Sequence, residues 1–210
     1  MKETISPLDG RYSSETEELL PYFSERALIR YRIKVEIEYL IALSKEKTLV
    51  GLPAFTKKQE ATYRKIYSNF NTSTAKEVKK VEQRTNHDVK AVEYYIRSKI
   101  NKSIHPWVHF ALTSEDVNNL SYTLMWRDAL KKVYIPQLTQ VLKDLKTLSN
   151  KYADTAMLSM THGQPATPTT FGKEIRVFVN RVERQINEIN KHKFLGKFGG
   201  CLLYTSDAAD

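Results

Sequence analysis

Three short polar stretches contain the residues best suited to acid–base chemistry. They are Thr85–Asp88, Thr113–Asp116 and Thr161–Pro165, and each is predicted to precede a helix. His87 and His162 lie in two of them, and histidine is the commonest proton-transfer side chain because it titrates near neutral pH. The pattern indicates two candidate catalytic or binding residues. From spacing alone, a capping or surface role explains each of these histidines better.

The same stretches are suited to binding anions. A helix N-terminus presents unpaired N–H groups and a partial positive charge, and Ser, Thr and Asn side chains add hydrogen-bond donors beside it. Three such ends that converge would suit a substrate with several negative groups. Any one stretch alone is better explained as an ordinary helix cap.

Metal, thiol and disulfide chemistry are not expected. His105 and His109 are four residues apart, but Pro106 and Trp107 lie between them, and no Cys or carboxylate stands at ligand spacing. The single cysteine, Cys201, excludes an internal disulfide and has no nearby base to activate it. A reducing compartment fits this cysteine usage.

The charge balance is consistent with an anionic partner. The 210 residues include 33 Lys and Arg against 24 Asp and Glu, for a net charge of +9. The basic residues are scattered among Glu, so the pattern does not resemble a tail that follows a phosphate backbone. The sequence shows neither a signal region nor an apolar run that could span a bilayer. We expect a cytoplasmic protein that binds neither membrane nor nucleic acid.

Helix-start signals and apolar spacing predict an all-α fold. The predicted helices begin near Ser24, Thr56, Thr74, Thr85, Thr113 and Thr167, and Thr56 with Gln59 is predicted to form a capping box. The first has an apolar stripe formed by Leu28, Tyr31, Val35, Tyr39 and Leu43. The last has a predicted apolar face formed by Phe171, Ile175, Phe178, Val182, Ile186 and Ile189. Pro136 predicts a kink or short break in the long helix after Thr113. Residues 154–166 are predicted to be irregular, since no alternating β pattern is sustained.

Four strings resemble motifs of the adenylosuccinate lyase branch of the fumarase and aspartase superfamily. They are residues 6–12 (SPLDGRY), 84–94 (RTNHDVKAVEY), 109–119 (HFALTSEDVNN) and 161–168 (THGQPATP). The resemblance covers residue 5 to about residue 200. Four long strings in the right order are a specific signal, and the NHDVKAVE string separates this branch from the fumarases and argininosuccinate lyases.

The resemblance implies an elimination reaction of purine nucleotide biosynthesis. The family splits adenylosuccinate into AMP and fumarate, and it also releases fumarate from the succinylated aminoimidazole carboxamide ribotide. A base removes a proton from the succinyl carbon, and an acid protonates the leaving nitrogen. The implied partner is therefore a small anionic substrate, and no metal or organic cofactor is implied.

The resemblance also assigns roles to individual residues. His162 would be the general acid, and His87, the second catalytic candidate, would bind and orient the substrate with Asn86 and Asp88. The remaining substrate-binding residues would be Arg11 and Tyr12 at the phosphate, Thr113 and Ser114 at a succinyl carboxylate, and Gln164.

The resemblance further implies a domain organisation and an assembly. Residues 1–112 would form an N-terminal helical domain, residues 113–200 the first long helices of a truncated central helical-bundle domain, and residues 201–210 a non-native tail. The family's general base is a serine in an S-S-x-M-P-x-K-x-N loop, and this string does not occur in the 210 residues. Family members form homotetramers whose active sites combine loops from three subunits. We therefore expect the chain alone to be inactive and prone to aggregation.

Two other interpretations remain open at this stage. Another fumarate-releasing lyase of the superfamily, such as an argininosuccinate lyase, would use the same chemistry with a different leaving group. A non-enzymatic basic helical protein that binds nucleic acid would explain the net charge, but it would not explain the three polar stretches.

Overall fold

Helices make up most of the protein. The computed structural model describes residues 4–200. Its helices are α1 Leu20–Phe23, α2 Glu25–Leu43, α3 Lys57–Ser68, α4 Thr72–Thr85, α5 Asp88–Lys99, α6 Ser114–Ala129, α7 Ile135–Lys151 and α8 Phe171–Lys191. The 3₁₀ segments Glu17–Leu19 and Lys102–Trp107, the π-helical segment Leu130–Tyr134 and the strands β1 Ala156–Thr161 and β2 Gln164–Thr170 complete the elements. The predicted all-α class is confirmed, with one small sheet added. None of the described helices is both long and apolar enough to cross a membrane.

The chain divides into two compact units. Within the described residues, the first unit comprises residues 4–128 and 195–200, and the second comprises residues 129–194. The domains expected from the sequence, residues 1–112 and 113–200, stay a prediction. The expected tail, residues 201–210, lies outside the described residues.

Helix α2 forms the centre of the first unit and contacts α1, α3, α4 and α5. It begins where the Ser24 hydroxyl accepts a hydrogen bond from the Ala27 N–H at 3.1 Å. The predicted stripe correctly includes the buried Tyr31 and Val35, but it omits fully buried residues such as Ile33. The reason is that α2 has neighbours on several sides, so its burial does not follow a single stripe. The core of the unit comprises Ile29, Ile33, Ile37, Leu40, Ile41, Leu52, Phe55, Phe70, Ala75, Val78, Ala91, Val92, Tyr95, Ile96, Ile104 and Val108.

Capping side chains determine where α3 and α4 begin. The predicted capping box at α3 is confirmed, because Thr56 accepts from the Gln59 N–H at 3.3 Å and Gln59 accepts from the Thr56 N–H at 2.9 Å. For α4 the predicted start at Thr74 is wrong. The cap is Asn71, whose side-chain oxygen accepts from the Thr74 N–H at 3.1 Å, while Thr74 supplies the reciprocal bond to the Asn71 N–H.

Helices α7 and α8 pack together in the second unit. Their shared core comprises Leu142, Ile175, Val179 and Ile186. Ile175 and Ile186 belong to the predicted apolar face of the last helix, whereas Phe171 and Phe178 of that face are exposed. The predicted start of that helix at Thr167 and Pro168 is wrong, because both residues lie in β2. The cap is Thr170, whose hydroxyl accepts from the Lys173 N–H at 3.2 Å.

The interruption predicted at Pro136 occurs just before this residue. Helix α6 ends at Ala129, the π-helical segment occupies Leu130–Tyr134, and Pro136 is the second residue of α7. Proline has no N–H to donate to the carbonyl four residues earlier, and that carbonyl belongs to Lys132 in the π-helical segment. The change of helical pattern accommodates the missing bond.

Residues 154–166 are not irregular, contrary to the prediction. Strands β1 and β2 form an antiparallel hairpin in which Thr161 pairs with Gln164. The loop consists of His162 and Gly163, which both have positive φ angles, of 48° and 75°. Positive φ at both loop positions is the mark of the type I′ turn that two-residue hairpins favour. Both strands are largely exposed, so the alternation of apolar and polar residues that reveals a half-buried strand is absent.

We predict that Gly172→Ala destabilises the second unit. An added Cβ would overlap the Ser149 carbonyl oxygen and lie 2.7 Å from the Ala153 backbone. Alanine normally stabilises a helix by about 1 kcal/mol relative to glycine, but overpacking costs about 1–3 kcal/mol. The midpoint of unfolding, followed by circular dichroism, should therefore fall. Asn187→Ala, at an exposed position of the same helix, is the control and should not lower it. An unchanged midpoint for Gly172→Ala would contradict the packing described.

Candidate active site

The turn between α4 and α5 carries three of the predicted site residues. Asn86 ends α4 in the left-handed conformation, with φ 49°, which Asn adopts more readily than most residues. His87 is the N-cap of α5, and Asp88 is the first residue of this helix. The sequence signal that placed the cap at Thr85 is therefore wrong, since Thr85 is the last residue of α4.

The capping bond fixes the hydrogen-bonding role of His87. Its Nδ1 accepts the Lys90 N–H at 3.1 Å, so the proton of the neutral ring lies on Nε2. The side chain is about half exposed, at 51%. His87 can therefore present an Nε2–H donor to a ligand while Nδ1 remains engaged by the helix.

Asp88 is held by a buried arginine of α2. Arg32 Nη2 lies 2.6 Å from Asp88 Oδ2, and Arg32 Nε donates to Asn118 Oδ1 at 2.9 Å. Burial by itself raises the pKa of Asp88, but the charge of Arg32 and hydrogen bonds from Arg32 and the Val89 N–H lower this pKa below its usual value. The carboxylate is therefore ionised at neutral pH.

Asn86, His87 and Asp88 line one open pocket of about 660 Å³. The other residues that line it are Lys79, Glu82 and Gln83 of α4. The structure thus brings these three predicted site residues together. The polar lining suits a charged ligand more than an apolar one.

Thr113 and Ser114 lie where α6 begins, and the buried Asp116 organises this turn. The side chain of Asp116, which is 0% exposed, accepts the Thr113 N–H at 2.9 Å. It also accepts the N–H groups of Gly199 and Gly200, at 2.7 and 2.9 Å. The carboxylate thereby joins the start of α6 to the returning segment 195–200 of the same unit.

Arg11 and Tyr12 lie in the predicted turn near the N-terminus. The Tyr12 N–H donates to the Pro7 carbonyl at 2.9 Å, and the Arg11 guanidinium lies 5.4 Å from the centre of the Tyr12 ring. Neither residue is among those that line the pocket beside His87 in the described part of the chain. Their assignment to a phosphate stays a prediction.

His162 and Gln164 belong to the second unit and lie at the tip of the β1–β2 hairpin. Both are exposed. The left-handed conformation of His162 and the positive φ of Gly163 hold the imidazole on a tight turn. Gly163 has open space on the side where a side chain would lie. An added Cβ would meet nothing within 4 Å there, so the observed need for glycine is the turn itself.

Glu36 is a second buried polar residue of α2, and the sequence did not single it out. His109 Nδ1 lies 2.5 Å from Glu36 Oε1, and its Nε2 lies 3.9 Å from Glu93 Oε1 of α5. His109 has a positive φ of 65° and precedes the Thr113 turn. Arg32 and Glu36 are four residues apart and share a helix face, but Arg30, Lys34 and Glu38 are charged as well, so their helical spacing was only a weak signal. His105 instead contacts the Ile100 carbonyl, so the two histidines do not share a partner.

The pair with Glu36 favours the charged form of His109. Burial lowers the pKa of His109, but the hydrogen bond that the ring donates to Glu36 and the negative charges of Glu36 and Glu93 outweigh that effect and raise the pKa above 6.5. The imidazolium is therefore more stable in the folded protein than in the unfolded chain.

The chain is similar to known lyases. A model of a family described as lyase matches residues 10–209. Adenylosuccinate lyase of Legionella pneumophila (strain Corby) is 45% identical over 203 residues, covering 94% of this chain and 44% of the relative. Adenylosuccinate lyase of Dictyostelium discoideum is 45% identical over 206 residues, with the same coverage. The chain therefore spans less than half the length of these relatives.

A solved structure supports the fold. The crystal structure of a fumarate lyase from Mesorhizobium sp. BNC1 superposes with a TM-score of 0.66 at 18% identity. The match covers 83% of this chain and 39% of that one. At this identity the comparison shows a common helical fold and nothing about the substrate.

We predict that the stability of the first unit decreases as the pH rises above 6.5, because the folded-state pKa of His109 is raised. The stabilisation is complete below the unfolded-state pKa and is lost as the pH passes through the folded-state value. His109→Gln should flatten this pH dependence of the unfolding free energy, measured with denaturant. His105→Gln should retain it, since the pair with Glu36 stays intact. An equal slope in His109→Gln and the parent would contradict the prediction.

Proposed function

The chain belongs to the lyase family. We propose that a protein that contains this chain and has the full length of its relatives eliminates fumarate from adenylosuccinate to give AMP. The same reaction would release fumarate from the succinylated aminoimidazole carboxamide ribotide. Both are steps of purine nucleotide biosynthesis. The relatives named adenylosuccinate lyase support this choice over another lyase of the superfamily.

The observation that carries the proposal is the geometry of the Asn86–Asp88 turn. The capping bond to Nδ1 leaves the Nε2–H of His87 available to a ligand beside an open polar pocket. The proposed substrate has a phosphate and two carboxylates, which need hydrogen-bond donors. His87, with Asn86 and Asp88, would orient it, while Thr113 and Ser114 would bind a succinyl carboxylate.

The proposed reaction is an elimination that splits a carbon–nitrogen bond. A base removes the proton from the succinyl carbon next to the one that carries nitrogen, a carbon–carbon double bond forms, and the carbon–nitrogen bond breaks. His162 would deliver a proton to the departing nitrogen, and Gln164 on the same hairpin would bind the substrate. A tight turn that exposes an imidazole suits this role, because the ring can reach a ligand without a large rearrangement of its own unit.

Exposed apolar side chains of the second unit support assembly into a homotetramer. Val141 and Leu148 on α7 are 49% and 38% exposed, and Phe171 and Phe178 on α8 are 39% and 57% exposed. The members of each pair are seven residues apart and therefore share a helix face. Exposed apolar residues grouped in this way are typical of interaction surfaces. Helices of other subunits would cover them.

We predict that Phe178→Asp prevents tetramer formation by the full-length protein, because the charge would be buried at the helix interface without a partner. Asn187→Asp adds the same charge on the opposite face of α8, nine residues away, and should leave the tetramer intact. Mass measured by light scattering after gel filtration distinguishes the two. A tetramer that persists in Phe178→Asp would show that this face is not the interface.

We predict that His162→Ala in the full-length protein lowers the rate of fumarate release by about 10² to 10⁴-fold, the usual contribution of a general acid. Substrate binding should remain, since the imidazole acts on the leaving group. His192→Ala, which removes another exposed imidazole of the second unit, is the control. Fumarate and AMP would be quantified by chromatography, with argininosuccinate as a competing substrate. Near-parental turnover in His162→Ala would refute its role, and release only from argininosuccinate would refute the proposed substrate.

A further inference from the structure

We propose that Arg32 is a positioning residue that sets the distance between the two substrate-binding turns of the first unit. The inference rests on the proposed function, in which the Asn86–Asp88 turn and the Thr113–Ser114 turn bind different parts of one substrate. Arg32 itself does not belong to either turn.

The contacts of Arg32 join elements that are far apart in the sequence. Its Nη2 lies 2.6 Å from Asp88 Oδ2 at the start of α5, and its Nε donates to Asn118 Oδ1 on α6 at 2.9 Å. Asn118 is four residues after Ser114, so the two lie on the same face of α6. One side chain thus connects each turn to the same point of α2.

The chemistry of the guanidinium makes this connection rigid. Its donors lie in one plane at fixed angles, so two acceptors held by it have a fixed separation. Arg32 is only 6% exposed, and water therefore competes little for either bond. Lysine would keep the charge, but its single ammonium on a flexible chain cannot hold the same two acceptors in the same plane.

A fixed distance matters only for a ligand that spans both turns. Binding the second half of such a ligand is intramolecular once the first half is bound, and its advantage depends on correct spacing. AMP or fumarate alone engages one part of the site and does not depend on that spacing. Loss of the Arg32 connection should therefore lower the affinity for the whole substrate more than the affinity for AMP or fumarate.

The test measures binding of three ligands by calorimetry. The parent is the full-length protein with His162→Ala, so that adenylosuccinate is not consumed. Arg32→Lys is expected to lower the affinity for adenylosuccinate about tenfold or more, while the affinities for AMP and for fumarate each change less than about twofold. Arg30→Lys, two residues earlier on α2, is the matched control. Arg30 donates to the Pro21 carbonyl at an exposed site, so this variant should leave all three affinities unchanged.

Asn118→Ala provides a second variant in case Arg32→Lys does not fold. It removes only the α6 side of the connection and leaves Arg32 paired with Asp88, so no buried charge is left alone. The same selective loss of adenylosuccinate affinity is expected.

Three results would overturn the inference. Affinities equal to those of Arg30→Lys would show that the connection has no effect on binding. An equal loss for adenylosuccinate, AMP and fumarate would indicate general disruption and not spacing. If the parent itself does not bind adenylosuccinate, the proposed function fails, and the inference that rests on it fails with it.

Discussion

The arrangement of the first unit depends on a charge that must be paired. Arg32 lies on α2 and is only 6% exposed, so its charge without a partner would cost several kcal/mol. Its hydrogen bonds to Asp88 and Asn118 remove that cost only if the starts of α5 and α6 come to α2 together. Pairing this charge therefore favours the arrangement in which both turns lie against α2.

Two further polar clusters act on the same turns. His109 pairs with Glu36 of α2, one helical turn after Arg32, and this pair fixes the segment that leads into Thr113. The buried carboxylate of Asp116 accepts hydrogen bonds from the N–H groups of Thr113, Gly199 and Gly200. These bonds satisfy buried polar groups that would otherwise be costly, although Glu36 Oε2 is buried without a hydrogen-bond partner among the described residues. The candidate site of this unit is therefore supported by a polar framework, and its exposed residues can stay available to a ligand.

Local signals predicted the helices better than their boundaries. The capping box of Thr56 and Gln59 was predicted correctly because both partners lie within one helical turn of each other. The starts of α4 and α8 were misplaced, since several Thr and Asn residues compete as caps and only the final backbone path selects Asn71 and Thr170. The hairpin was missed because its strands are exposed and carry Pro165 and Pro168, which normally argue against a strand. The stripe on α2 was incomplete because burial on several sides has no single period.

The sequence by itself determined the helical class, the family resemblance and the identity of the candidate site residues, because capping, apolar spacing and short motifs are local properties. The tertiary structure decided how those residues can act. It placed the proton of neutral His87 on Nε2, put His162 on a two-residue turn, and paired Asp88 with Arg32 in a salt bridge. Arg32 and Asp88 are 56 residues apart in the chain. Their pairing follows from the packing of α2 against α5, a long-range consequence of burial that no short window of sequence contains.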